Sequence, residues 1–172
     1  MTYRKFCVQA ALSAMVLSMG CDRAQLSGPP ELRLGRTECA ACGMLINEDR
    51  CSSAFLITER GRRDHLCFDD IGCMIDYEQE PDDGVLIIEG FVHDYDTRAW
   101  FPTSAAVFLL ADADALPTPM ASGIVAFGAR PPAEEALEEF GGQLMDYTEL
   151  REARRAWMEA RYGKKKPSTT SP

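Results

Sequence analysis

The chain has 172 residues, with 18 basic against 27 acidic side chains, a formal net charge of -9 and a mean hydropathy of -0.19. That length fits one ordinary domain or two very small ones, and the acidic balance disfavours a nucleic-acid reader, which needs a basic face to neutralise phosphates. Seven cysteines and eight methionines stand beside only two histidines, so a three-histidine metal site is impossible. The odd cysteine count excludes complete pairing within the chain.

Arg4 and Lys5 precede an apolar, small-residue run from Phe6 to Met19 that ends in Gly20-Cys21. This is the three-part layout of a secretory signal over residues 1–20, and the run is shorter than the ~20 apolar residues of a spanning helix. Leu17-Ser18-Met19-Gly20-Cys21 resembles a bacterial lipobox, with Ser18 where leucine is usual. The resemblance implies cleavage before Cys21, a lipid on Cys21, and an envelope protein held to a membrane on its periplasmic side. Cleavage also removes Arg4 and Lys5 and leaves the chain more acidic. Asp22, beside the lipid cysteine, resembles the sorting signal that keeps enterobacterial lipoproteins in the inner membrane. Five cysteines remain, Cys39, Cys42, Cys51, Cys67 and Cys73. Disulfides are ordinary in an oxidising compartment, but five thiols cannot all pair among themselves.

Residues 21–37 read as the lipidated cysteine and a polar tether, and residues 163–172 as a disordered tail, basic and then rich in Ser, Thr and Pro. Between them the pattern predicts an α+β protein of two small packed lobes. The first, residues 38–89, has strands at Ser53–Glu59 and Arg63–Phe68 joined by a Gly61 turn, a helix from Asp69 to about Tyr77, and a β-branched strand Val85–Glu89. The second, residues 90–162, begins with a strand around Val92-His93-Asp94, then Trp100-Phe101 and an apolar segment Ala105–Leu110. A loop follows through Thr118-Pro119-Met120-Ala121-Ser122-Gly123, then a strand Ile124–Phe127, a helix Ala133–Phe140 opened by two prolines and stopped by Gly141-Gly142, and a strand Gln143–Asp146. A charged helix Thr148–Tyr162 closes the fold, with Leu150, Trp157 and Met158 as its apolar contacts. Strand–strand–helix–strand thus occurs twice.

The strongest local motif is Cys39-Ala40-Ala41-Cys42-Gly43-Met44. Cys-x-x-Cys puts two sulfurs within reach of one ion or of each other, and Gly43 permits a sharp turn. Thiolate with thioether is a soft donor set that suits Cu(I), whereas zinc rarely takes methionine. The alternatives are a Cys39–Cys42 disulfide, a zinc site of Cys39, Cys42, Cys67 and Cys73, and Met44 as core filler. In the second cluster, Cys67-Phe68-Asp69-Asp70-Ile71-Gly72-Cys73-Met74, either aspartate serves as a helix cap. Met120 stands in a Pro/Gly/Ser loop where no core periodicity explains it. His93 is either an ordinary strand histidine or a further donor to copper. A thiol catalyst built from Cys42, His93 and Asp94 leaves both methionines unexplained, so the chain does not read as an enzyme.

These blocks, in their order and spacing, resemble the NosL lipoproteins, accessory proteins of nitrous oxide reductase. The resemblance runs through the Cys39–Met44 and Phe68–Met74 elements, Val92-His93-Asp94-Tyr95, Thr118-Pro119-Met120 with Gly123 to Phe127, and Gly141-Gly142. It implies a fold related to organomercurial lyase and a lipid-anchored Cu(I) chaperone that supplies the copper–sulfide centre of that reductase, or another periplasmic copper acceptor. Carried over by position, it gives Cys42, Met44 and Met120 as ligands, with His93 and Cys39 as weaker candidates. Ala121 departs from the glycine often found after the loop methionine. The contrasting possibility is a zinc- or disulfide-stabilised interaction lipoprotein of the envelope.

Overall fold

The computed structural model describes residues 26–163. The expected leader, the lipidated Cys21 and the tail beyond Gly163 lie outside the described residues. No described helix is long and apolar enough to cross a membrane.

The run SAFLITE forms β1 (Ser53–Glu59) and is buried along most of its length. That burial follows from its central place in the first sheet. β1 turns through Arg60-Gly61, both at positive φ (50° and 77°), into β2 (Arg62–Phe68). Two left-handed residues match the twist of a tight hairpin, and glycine takes one at little cost. Helix α1 (Ile71–Gln79) follows and buries Ile71, Met74 and Ile75 against the sheet. β3 (Val85–His93) and β4 (Trp100–Pro102) complete an antiparallel sheet of order β2-β1-β3-β4. After a 3-10 turn at Thr103–Ala105, β5 (Val107–Leu110), β6 (Ile124–Phe127), α2 (Arg130–Phe140) and β7 (Gln143–Met145) build a second sheet of order β6-β5-β7. Helix α3 (Tyr147–Tyr162) closes the chain behind a reciprocal capping box of Asp146 and Glu149.

The α+β class, the repeated strand–strand–helix–strand order and the terminal helix are as expected. The division at residue 90 is not. β3 runs without a break from Val85 to His93, and β4 pairs with it, so Val92, His93, Trp100 and Phe101 belong to the first sheet. No turn residue interrupts residues 88–92 except Gly90, which stays in the strand because Thr103 and Phe55 press against its Cα. A Cβ there would stand 2.9 Å from Thr103 Oγ1 and 3.2 Å from Phe55.

The two sheets share one core. Phe55, Phe68, Ile71, Met74 and Ile75 pack with Phe108, Ile124 and Ala126 of the second sheet and with Leu150 of α3. A parallel bridge, Asp94 to Ala126, stitches the sheets where β3 ends. Burial alone would raise the Asp94 pKa, but bonds from Thr97, Gly128 and Asp96 hold it below the ordinary carboxylate range. α2 covers the far side of the second sheet through Ala133 and Ala136, over Leu109, Leu116, Val125 and Phe127.

α3 is attached largely by polar contacts. Arg154 grips Asp76 of α1 with both ends of its guanidinium, at 2.9 and 2.7 Å, and Tyr147 donates to Glu78 at 2.9 Å. Leu150 is the helix's buried apolar residue. Trp157, expected as an apolar contact, is instead 44% exposed and lies between Arg154 and Arg161. Replacing Arg154 by Met should lower stability in urea by about 1–3 kcal/mol, because Asp76 loses a charged, bidentate partner. Adding Asp76→Leu should recover part of that loss.

Candidate metal site

The Cys39–Met44 segment is a closed loop. Glu38 and Leu45 form its bridge, the Cys39 amide donates to the Met44 carbonyl at 2.8 Å, and the Gly43 amide donates to the Cys39 carbonyl at 2.9 Å. Gly43 sits at φ 73°, which explains the glycine between the thiol and the thioether. The Ala40 amide donates to the Cys67 carbonyl at 2.8 Å and so fastens the loop to the end of β2. This turns Cys39 inward, 2% exposed, and leaves Cys42 and Met44 facing solvent.

Where β2 hands over to α1, two adjacent aspartates diverge. Asp70 is fully buried and caps α1, its Oδ1 accepting from the Gly72 amide at 2.7 Å. Its Oδ2 accepts from the Thr118 hydroxyl at 2.7 Å and the Met120 amide at 3.0 Å. Thr118 Oγ1 in turn accepts from the amides of Ser122 and Gly123, at 3.0 and 3.2 Å. One carboxylate thus holds both the helix N-terminus and the loop that carries Met120. Gly72 permits the contact, since a Cβ there would lie 2.7 Å from Ser122 Cβ and 3.0 Å from Asp70 Oδ1.

Asp69, 3% exposed, faces the other loop: Cys42 donates its thiol toward the carboxylate at 3.7 and 3.8 Å. Cys73, in the first turn of α1, completes a group. One ligand atom from each of Cys39, Cys42, Asp69 and Cys73 lies within 4.8 Å of every other. Cys73 donates to Cys39, and this bond draws the Cys39 pKa down to about 6 against the opposing effect of burial. The same bond, with burial, pushes the Cys73 thiol up. Burial raises Cys42, with Cys39 and Asp69 adding to the effect, and raises Cys67 to about 11.

The structure therefore brings Cys42 together with Cys39 and places Met44 on the same loop. It ties the Met120 loop to the aspartate next to the one that faces Cys42. Met44 and Met120 are 47% and 40% exposed. His93 is elsewhere. It is 4% exposed, shares a 2.7 Å hydrogen bond between Nδ1 and Ser52 Oγ, and stacks on Trp100 with ring centroids 3.6 Å apart. Burial lowers its pKa and favours the neutral ring. His65 bonds the Gly28 carbonyl at 2.7 Å. All five described cysteines are free thiols. Cys67 is not in the thiol group, and Asp69 stands where a four-cysteine site would need it. Sequence reasoning assigned the aspartates to capping alone. The signal it passed over was that one cap needs one carboxylate, which leaves Asp69 over, four residues before Cys73.

Asp70→Ala should cost about 2–4 kcal/mol, because it removes the cap and two charged hydrogen bonds together. Amide exchange at residues 118–123 should accelerate in that variant. Asp70→Asn, which keeps a capping oxygen, should cost less. His93→Gln should destabilise the first sheet without altering metal affinity, which parallel thermal melts and metal titration would read.

The profile of a family described as NosL matches residues 33–154. No curated protein matches the chain significantly. A similar solved structure is the crystal structure of the copper chaperone NosL from Shewanella denitrificans, with a TM-score of 0.61 and 22% identity. The match covers 73% of this chain and 97% of that one.

Proposed function

The chain belongs to the NosL family, and from that premise we propose that it is a copper-binding chaperone that carries Cu(I) and gives it to a periplasmic acceptor. The observation that carries this reading is the grouping of soft donors. Cys42 opens to solvent beside the buried Cys39 and Cys73, and exposed thioethers lie on its own loop and on the loop tied to Asp70. Thiolate and thioether sulfur prefer Cu(I) to hard cations. A solved relative of the same fold is a copper chaperone by name.

Cys42 is the entry ligand, and Met44 and Met120 are the ligands from which copper leaves. Neutral thioethers bind less tightly than thiolates, so an acceptor's ligand can displace them one at a time. The acceptor is nitrous oxide reductase or another copper protein of the envelope, and the chaperone reaches it from a lipid anchor at Cys21. The role is carriage, so no group is asked to break or make a covalent bond in a substrate.

Anaerobic titration of the reduced protein with Cu(I) and Zn(II), under competition by a chelator, tests the reading. Stoichiometric Cu(I) binding is expected, weakened roughly tenfold or more in Cys42→Ser. Met120→Leu should slow transfer of copper to the chelator. Retention of zinc with no Cu(I) binding would make the chain a zinc-stabilised module instead. In cells, globomycin should cause an unprocessed precursor to accumulate if Cys21 is lipidated.

A further inference from the structure

Two donor sets meet at one sulfur. On the outside, Cys42 shares its loop with Met44 and faces the Asp69-Asp70 step that holds the Met120 loop. On the inside, the same Cys42 Sγ lies within 4.8 Å of Cys39 Sγ and Cys73 Sγ, both buried. Three sulfurs around a metal at bond lengths of about 2.3 Å lie about 4.0 Å apart, so small side-chain shifts bring the three sulfurs onto one ion. Cys73 occupies the first turn of α1, the end of a helix whose dipole favours an anionic ligand.

We propose that copper occupies two positions on this protein: a closed, trithiolate position of Cys39, Cys42 and Cys73 in which it is held, and the open position of Cys42, Met44 and Met120 from which it is surrendered. This rests on the copper-chaperone reading above and adds how the site is regulated. Cu(I) enters at the exposed Cys42. Each thiol that binds releases its proton to water, and the Cys42 thiol already directs its proton toward Asp69, 3.7 Å away. Outward movement breaks the copper bonds to Cys39 and Cys73, which take protons back from water, and forms bonds to the two thioether sulfurs. Cys42 stays bound throughout, and copper remains Cu(I), so no electron donor or acceptor is required. Three anionic sulfurs hold a soft cation more tightly than one thiolate with two neutral thioethers. The resting protein therefore keeps its copper inside until a partner engages the methionines.

The test uses the full chain, reduced and labelled with selenomethionine, loaded with Cu(I) and examined by X-ray absorption at the copper edge. Sulfur neighbours without a copper–selenium shell are expected in the unsubstituted protein. Cys39→Ser and Cys73→Ser should each bring up a copper–selenium shell and weaken Cu(I) binding roughly tenfold or more against bathocuproine disulfonate. Met120→Leu should slow transfer of copper to the chelator. A copper–selenium shell already present in the unsubstituted protein overturns the closed position, and this readout needs no variant to fold. Unchanged affinity in both cysteine variants, with the fold intact by circular dichroism, overturns it as well. Failure of the unsubstituted protein to bind Cu(I) at all overturns the copper-chaperone reading itself, and is thereby distinguished.

Discussion

The Asp70 carboxylate sets the arrangement on which everything else at this end of the molecule depends. It lies fully buried, and its two oxygens are shared among the Gly72 amide in the first turn of α1, a threonine hydroxyl and the amide of Met120. A buried charge is tolerated only when hydrogen bonds replace its water, so helix and loop are obliged to stay where they can supply those bonds. Gly72 then lets the loop approach as closely as the bonds demand. The loop has little regular structure of its own. Ala121 sits at a positive φ of 54°, a strain the surrounding hydrogen bonds must hold in place.

The neighbouring Asp69 extends the same logic to the other side. Consecutive residues leaving a strand point in opposite directions, so one aspartate faces the thiol loop and the next faces the methionine loop. The first sheet supplies a stiff base for this step, since β1 is hydrogen-bonded on both edges and Phe68, the residue before Asp69, is fully buried. Loops about eighty residues apart in the chain, carrying Cys42 and Met120, are thus referred to a single dipeptide. Their mutual position survives only as long as the strand end and the helix cap survive together.

Much of this was legible in the amino-acid order, and the failures have identifiable causes. Alternating apolar runs, prolines opening α2, and glycines closing it mark elements by local chemistry; α2 ends where expected at Phe140 and begins three residues earlier, at Arg130. The boundary at residue 90 was misplaced because a glycine inside a strand reads as a break, whereas here Thr103 and Phe55 crowd it from outside. Trp157 was misread because helical spacing cannot distinguish a core-facing aromatic from one covered by arginines on its own helix. Cys42, Met44 and Met120 stood out as sulfur in loops. Cys39 and Cys73 came together only within a four-cysteine zinc alternative that also took in Cys67, because which cysteines meet depends on how a loop after the tether packs against a helix some thirty residues later. Only the tertiary fold brings them into contact.

The division of exposure among the sulfurs has a chemical consequence. Cys39 and Cys73 are sheltered, while Met44 and Met120 are 47% and 40% exposed. An oxidant arriving from solvent therefore meets thioethers before it meets the inner thiols. A methionine converted to its sulfoxide presents a polar oxygen in place of a soft sulfur, and Cu(I) has little affinity for such a donor. On the proposed two-position reading, oxidation confined to Met44 and Met120 would remove the release ligands and leave the ion held by the thiols, whereas oxidation of the exposed Cys42 would abolish both positions.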